Sequence, residues 1–148
     1  MTSLPWKKIL CPVDFSPAAR DALATAAELA KHFDGEVTLF HAYPLPGYTL
    51  PEGTVLPSSR MLQDLSDETD RLLEEWRKLA LEMGAPAART AKSIGDPATE
   101  VLDLASQGFQ LLVVGTHGRT GVAHVLLGSV AERVVRKAHI PVLTVRPK

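Results

Sequence analysis

Two periods of apolar residues run along this chain, and the switches between them mark its elements. Lys7 to Val13 is a short apolar run of strand type, with Ile9, Leu10 and Val13. Asp14, Ser16 and Pro17 follow, and a serine or aspartate cap with proline in the first turn starts a helix. The helix runs from Ala18 to about Phe33, with Leu23, Ala26, Ala27, Ala30 and Phe33 at helical spacing. Gly35, with Asp34 ahead of it, is the expected stop. Glu36 to Tyr43, with VTLFHAY at its heart, is apolar on both faces and reads as an inner strand of a parallel sheet.

The pattern then breaks. Residues 44–58, PLPGYTLPEGTVLPS, hold four prolines and two glycines and read as a loop or flap rather than an element. A loop of this length in a compact domain is often functional. Helical spacing returns from Ser59 to Met83, with Gly84 as the stop and Trp76 as core filling. Ala87 to Ile94 is a weaker strand. Gly95-Asp96-Pro97 opens a helix that stops near Gly108, with Asp96 as its cap. Gln110 to Val114 is a strand, Gly115 to Gly128 a glycine-rich stretch, Ser129 to Ala138 a helix and Pro141 to Val145 a last strand. Strands alternating with helices imply a doubly wound parallel sheet with helices on both faces and right-handed crossovers. A flavodoxin-like strand order is one of the few common answers, with its ligand crevice where that order reverses. The length of 148 residues suits a single domain spanning 1–148, and no internal boundary or repeat is visible.

Composition narrows the function classes. The formal charge is −1, without the basic excess that tracking a nucleic-acid backbone requires. No apolar run reaches the ~20 residues of a membrane span, and MTSLPWKKIL does not follow a signal-peptide plan, so a cytoplasmic location is expected. The single cysteine, Cys11, sits in an apolar strand, where a buried, inert thiol is expected. No histidine shows zinc-ligand spacing.

The stretch from Gly115 to Ser129 carries the sharpest chemical signal. It starts where an apolar strand ends and finishes where a helix begins. Glycines let backbone approach a ligand, successive N–H groups form anion-binding concavities, and a helix N-terminus adds unpaired donors. Arg119 has the reach of a bidentate phosphate contact or of a solvated loop cation. Ser129 reads either as a phosphate donor or as a plain cap, since Ser129-x-x-Glu132 is a capping-box pattern. Asp14 reads as a helix cap or as a ribose or metal contact. His117 is the one histidine placed to touch a phosphate, although a surface loop histidine fits it as well. Arg133, Arg136 and Lys137 with Glu132 look like a solvated helix face. Neither the P-loop string nor the G-x-G-x-x-G fingerprint is present.

Gly115-x-x-Gly118, nine residues, then Gly128-Ser129 resembles the nucleotide loop of the universal stress protein family in its ATP-binding branch. VVGTHGRTGVAHVLLGSVAERVVRKAHIPVLTVRP is similar to that family's C-terminal signature, and ILCPVDFSPAARDAL to its first strand and helix. The resemblance covers essentially the whole chain and is weakest across residues 44–66. It implies a five-stranded sheet of order 3-2-1-4-5. It also implies an ATP site, with magnesium accompanying the nucleotide. Pro12, Val13 and Asp14 would line the adenine and ribose end, and Ala42 would offer backbone groups to the base. Gly115, Gly118, Gly128, Ser129 and Val130 would surround the ribose and phosphates, with Arg119 in the same loop. The resemblance also puts strand Val142–Val145 at a sheet edge, where an apolar edge invites a homodimer.

Three functions fit these readings: a nucleotide-dependent stress-response or regulatory module, a slow nucleotide hydrolase or phosphotransferase, and a dimeric interaction protein with a vestigial pocket. The phosphate loop holds no lysine and the chain offers no convincing base for an attacking water, so hydrolysis is expected to be slow or absent. Asp14 and His117 are the only candidates.

Overall fold

A computed structural model describes residues 5–117 and 127–148. Its element order is β1 (Lys8–Pro12), α1 (Pro17–Phe33), β2 (Glu36–Tyr43), β3 (Tyr48–Leu50), β4 (Gly53–Val55), α2 (Ser59–Glu82), β5 (Ala87–Ile94), α3 (Pro97–Ala105), β6 (Leu111–Gly115), α4 (Ser129–Lys137) and β7 (Val142–Val145). Five strands form one parallel sheet of order β5-β2-β1-β6-β7. With β3 and β4 set aside, that is the order 3-2-1-4-5 of the expected doubly wound fold.

The central strands explain themselves. Ile9 and Cys11 of β1, Val37 and Leu39 of β2, and Leu111 and Val113 of β6 point to one face. There they meet Leu23, Ala26 and Ala30 of α1 and Leu73 of α2. Leu10, Phe40, Leu112 and Val114 point to the other face, against Ala98 and Val101 of α3 and Ala131 and Val134 of α4. Both faces are dry, so these strands read as continuous apolar runs rather than alternating ones. The alanines of α1 let that helix sit close to the sheet. Removing Leu23 from water contributes about 1.5–3 kcal/mol by side-chain transfer.

Three local expectations are corrected, and one open alternative is decided. Residues 44–58 contain an element after all. β3 and β4 pair antiparallel, with Tyr48 opposite Val55, Thr49 opposite Thr54 and Leu50 opposite Gly53. The prolines flank this hairpin or lie in its turn, Pro51-Glu52, where no ladder donor is lost. At the end of α1 the left-handed residue is Asp34, with φ 53°, and not Gly35. Gly35 serves close approach instead. A Cβ there would stand 2.8 Å from the Lys7 carbonyl oxygen and 2.9 Å from the Lys7 Cα. The start of α1 is capped by Ser16, whose hydroxyl accepts the Ala19 N–H at 3.1 Å, so Asp14 is released from that task. Finally, α4 is capped by Gly128 and lacks a side-chain cap bond. Ser129 is its first helical residue, so the capping box does not form. Glu132 pairs with Arg136 at 2.8 Å, and this hydrogen bond holds its exposed carboxyl below the usual range.

Candidate functional site

The strand order reverses between β1 and β6, since β1 continues to β2 on one side and β6 leads to β7 on the other. Crevices form at the carboxyl ends of strands at such a point. A cavity of about 300 Å³ opens there, bounded by the ends of β1, β2 and β6 and the first turns of α3 and α4.

From β1 and its exit come Pro12, Val13 and Asp14. The Asp14 Oδ1 accepts the Ser16 N–H at 3.0 Å. Between them Phe15 holds φ 64°, a left-handed conformation that bulky residues avoid. Its ring packs 5.4 Å from Trp76 and 4.8 Å from His41, and this packing offsets the backbone strain. From β2 come Phe40, His41 and Ala42. The His41 Nδ1 lies 2.7 Å from the Val13 carbonyl oxygen. A carbonyl only accepts, so this nitrogen carries the hydrogen.

From β6 and the turn after it come Val114, Gly115, Thr116 and His117. A Cβ on Gly115 would sit 3.0 Å from the Ala18 carbonyl oxygen, so glycine lets β6 end tightly against α1. Thr116 is buried. Its N–H donates to Val145 and its carbonyl accepts from the Gly128 N–H, which sets the start of α4 beside the end of β6. The Thr116 hydroxyl is 2.9 Å from the His117 Nδ1. Gly128, Ser129, Val130 and Ala131 supply the fourth wall, and Pro97 and Val101 of α3 the fifth.

The first turn of α4 is thus presented to the cavity by a glycine that covers none of its N–H groups. Such a terminus suits an anion. Gly128 has φ −67°, a backbone that any residue adopts, so no left-handed turn calls for glycine here.

Of the residues expected at the site, Pro12, Val13, Asp14, Ala42, Gly115, Gly128, Ser129 and Val130 line this one cavity. Gly118 and Arg119 lie outside the described residues. His41, Phe40, Val101 and Thr116 were not anticipated. A histidine near the end of an otherwise apolar strand was the one available signal for His41. Among the described residues, no three histidine, cysteine, aspartate or glutamate side chains gather as a metal site, and no helix is long and apolar enough to cross a membrane.

Residues 5–146 match the model of the universal stress protein family. This chain belongs to the universal stress protein family. A universal stress protein of Methanocaldococcus jannaschii is 38% identical over 144 residues, which span 95% of this chain and 82% of that protein. The solved universal stress protein UspA of Lactobacillus plantarum is 25% identical and superposes with a TM-score of 0.80 over 95% of this chain and 98% of its own. A universal stress protein solved in complex with cAMP shares the fold, with 23% identity and a TM-score of 0.75 over 97% and 99% of the two chains. Among universal stress proteins the arrangement here is a strand-end crevice closed by an uncapped helix start.

Proposed function

We propose that this universal stress protein binds ATP and acts as a nucleotide-dependent module in the stress response. The observation that carries the reading is the uncapped first turn of α4 opening into the same cavity as Asp14 and Ala42. One end of that cavity offers helix N–H groups for phosphates, the other a carboxylate for ribose hydroxyls and strand backbone for a base. In this reading the base lies toward Val13 and Ala42, the ribose toward Asp14, and the phosphates toward Gly128, Ser129 and Val130. The glycine motif of the sequence would add Gly118 and Arg119, which lie outside the described residues, to the phosphate loop. The cAMP-bound member supports the ligand class, and the glycine spacing of the sequence supports a phosphate chain longer than one group.

Magnesium enters this reading with the nucleotide. One carboxylate, Asp14, borders the cavity, and a magnesium ion needs only one or two carboxylates beside phosphate oxygens. The ion would neutralise phosphate charge while the α4 terminus holds the chain in place. The stretch from Gly115 to Ser129 carries Arg119 but no lysine to stabilise a transferring phosphoryl group. In this reading turnover stays far below the ~1–10³ s⁻¹ typical of enzymes. A cytoplasmic homodimer, paired through β7, is part of the same proposal.

Calorimetry with magnesium-ATP on the parent and on Gly128→Val tests it. Valine accepts the backbone angles of position 128, so the variant is expected to fold, and a side chain at this lining position is expected to narrow the cavity. The parent binds and the variant does not. Equal binding by both places the phosphates elsewhere, and a parent that binds no adenine nucleotide removes the reading.

A further inference from the structure

In the ladder between β1 and β2, the Glu36 N–H donates to the Lys7 carbonyl, and the Val13 N–H donates to the Phe40 carbonyl at 2.8 Å. Residues 36, 38, 40 and 42 therefore turn their backbone groups toward β1. Registered pairing ends at Pro12 opposite Phe40. The next rung would join the Ala42 N–H to the Val13 carbonyl. That carbonyl takes the His41 imidazole instead, at 2.7 Å. The rung after it would join the Phe15 N–H to the Ala42 carbonyl. Phe15, at φ 64°, turns the chain away from it. Among the described residues no backbone hydrogen bond joins Ala42 to β1.

We propose that His41 sets the base specificity of the nucleotide site by occupying the Val13 carbonyl, which keeps the Ala42 N–H and carbonyl out of the ladder and open to the hydrogen-bonding edge of adenine. The inference rests on the nucleotide reading above and deepens it. Ala42 lines the cavity, and its two groups point the same way, one donor beside one acceptor. Adenine presents the matching pair, an N1 acceptor beside an N6 amino donor. Guanine presents the reverse, an N1–H donor beside an O6 acceptor. A strand that completed its ladder would present neither group to either base. The imidazole is held in place for this role by rings on two sides, with Phe15 at 4.8 Å and Tyr43 stacked at 5.8 Å. His41 is a positioning residue here, acting through Ala42.

His41→Phe and His41→Asn test this. Phenylalanine keeps the ring contacts and removes the donor. Asparagine can put an amide donor close to where Nδ1 stands. ATP and GTP affinities are measured by calorimetry, melting temperatures by circular dichroism, and exchange of the Ala42 amide by NMR without nucleotide. The expected result for His41→Phe is closure of the rung. Its Ala42 amide becomes protected, its ATP affinity falls roughly 10- to 100-fold, and its preference for ATP over GTP collapses. His41→Asn keeps the parent's preference and its fast-exchanging Ala42 amide. A purely structural role would weaken ATP and GTP alike and leave their ratio intact. A folded His41→Phe protein with the parent's ATP-to-GTP ratio overturns the inference. So does an Ala42 amide that exchanges alike in the parent and His41→Phe. Failure of the parent to bind ATP overturns the nucleotide reading instead, and the amide exchange then decides the role of His41 alone.

Discussion

The Arg133 guanidinium lies 2.8 Å from the Asp96 carboxylate and so ties α4 to the cap of α3. The sequence places Arg133 on a solvated helix face. The structure gives it a partner on another helix, 37 residues away, and a second bond to the Thr99 hydroxyl at 3.2 Å. The same Asp96 oxygen accepts the Thr99 N–H at 3.0 Å and the Thr99 hydroxyl at 2.7 Å.

Asp96→Ala removes cap and bridge together and lowers the melting temperature by about 2–4 °C at pH 7. Asp96→Asn keeps an acceptor for Thr99 and loses less. The Thr99 hydrogen bonds, and then Arg133, hold the Asp96 carboxyl below its usual range. A lowered folded-state value means that the carboxylate's contribution is complete above the unfolded aspartate value of about 4 and fades as pH falls through the folded one. The gap between parent and Asp96→Asn should therefore shrink on acidification below about pH 4. Thermal melts across pH 2–7 check this. A gap that widens in acid contradicts the assignment.

Asp34 and Gly35 divide the work of ending α1, and two substitutions separate their roles. Gly35→Ala drives a methyl into the Lys7 backbone, which has no soft side chain to yield, and destabilises by about 1–3 kcal/mol. Asp34→Gly relieves a left-handed non-glycine residue and is neutral or stabilising. Urea denaturation measures both. The opposite ranking would mean that Gly35 carries the left-handed turn.

Cys11 is wholly buried in β1, and desolvation pushes its thiol up to about 12. Reaction with a thiol reagent such as DTNB at pH 8 should be undetectable in the native state and complete in guanidinium. Native labelling at the rate of a free thiol would show that β1 opens locally.

The architecture was legible because its signals are local. Apolar runs such as Gln110–Val114, caps such as Asp96-Pro97, and the stop at Gly84 each report on neighbours in sequence. Strand Ala87–Ile94 was recovered at both ends although its apolar character is weak. The hairpin Tyr48–Val55 was hidden because prolines elsewhere in the segment outweighed two three-residue strands. The candidate site was legible through its glycines, since close backbone approach leaves a residue-type signature. The part played by His41 left none. A side chain that takes over one rung of a ladder is a relationship between strands 28 residues apart, and no local period encodes it. Nor does any local pattern mark Phe15, whose left-handed backbone is held in place by Trp76 and His41.

The free edge of β7 gives the last prediction, a test of the proposed dimer. β7 pairs with β6 alone among the described strands. The Leu112 N–H donates to Pro141 and the Thr116 N–H to Val145, so the odd-numbered residues of this segment face β6. Val142 and Thr144 therefore turn their N–H and carbonyl groups to the open side. Such a row is a template for another strand, and a two-fold axis lets the same strand of a second copy supply it. Thr144→Pro deletes one outward N–H and leaves the bonds to β6 in place, because an edge strand tolerates proline where the N–H faces away from the sheet. Leu143→Lys puts a charge on a side chain that is 37% exposed in the single chain and would be covered in a dimer. Both variants should keep the parent's circular dichroism spectrum and sediment as monomers at micromolar concentrations where the parent sediments as a dimer. A parent that is monomeric there removes the dimer from the proposal. A dimer indifferent to both substitutions is built on another surface, and the exposed Val135 of α4 would be the next residue to change.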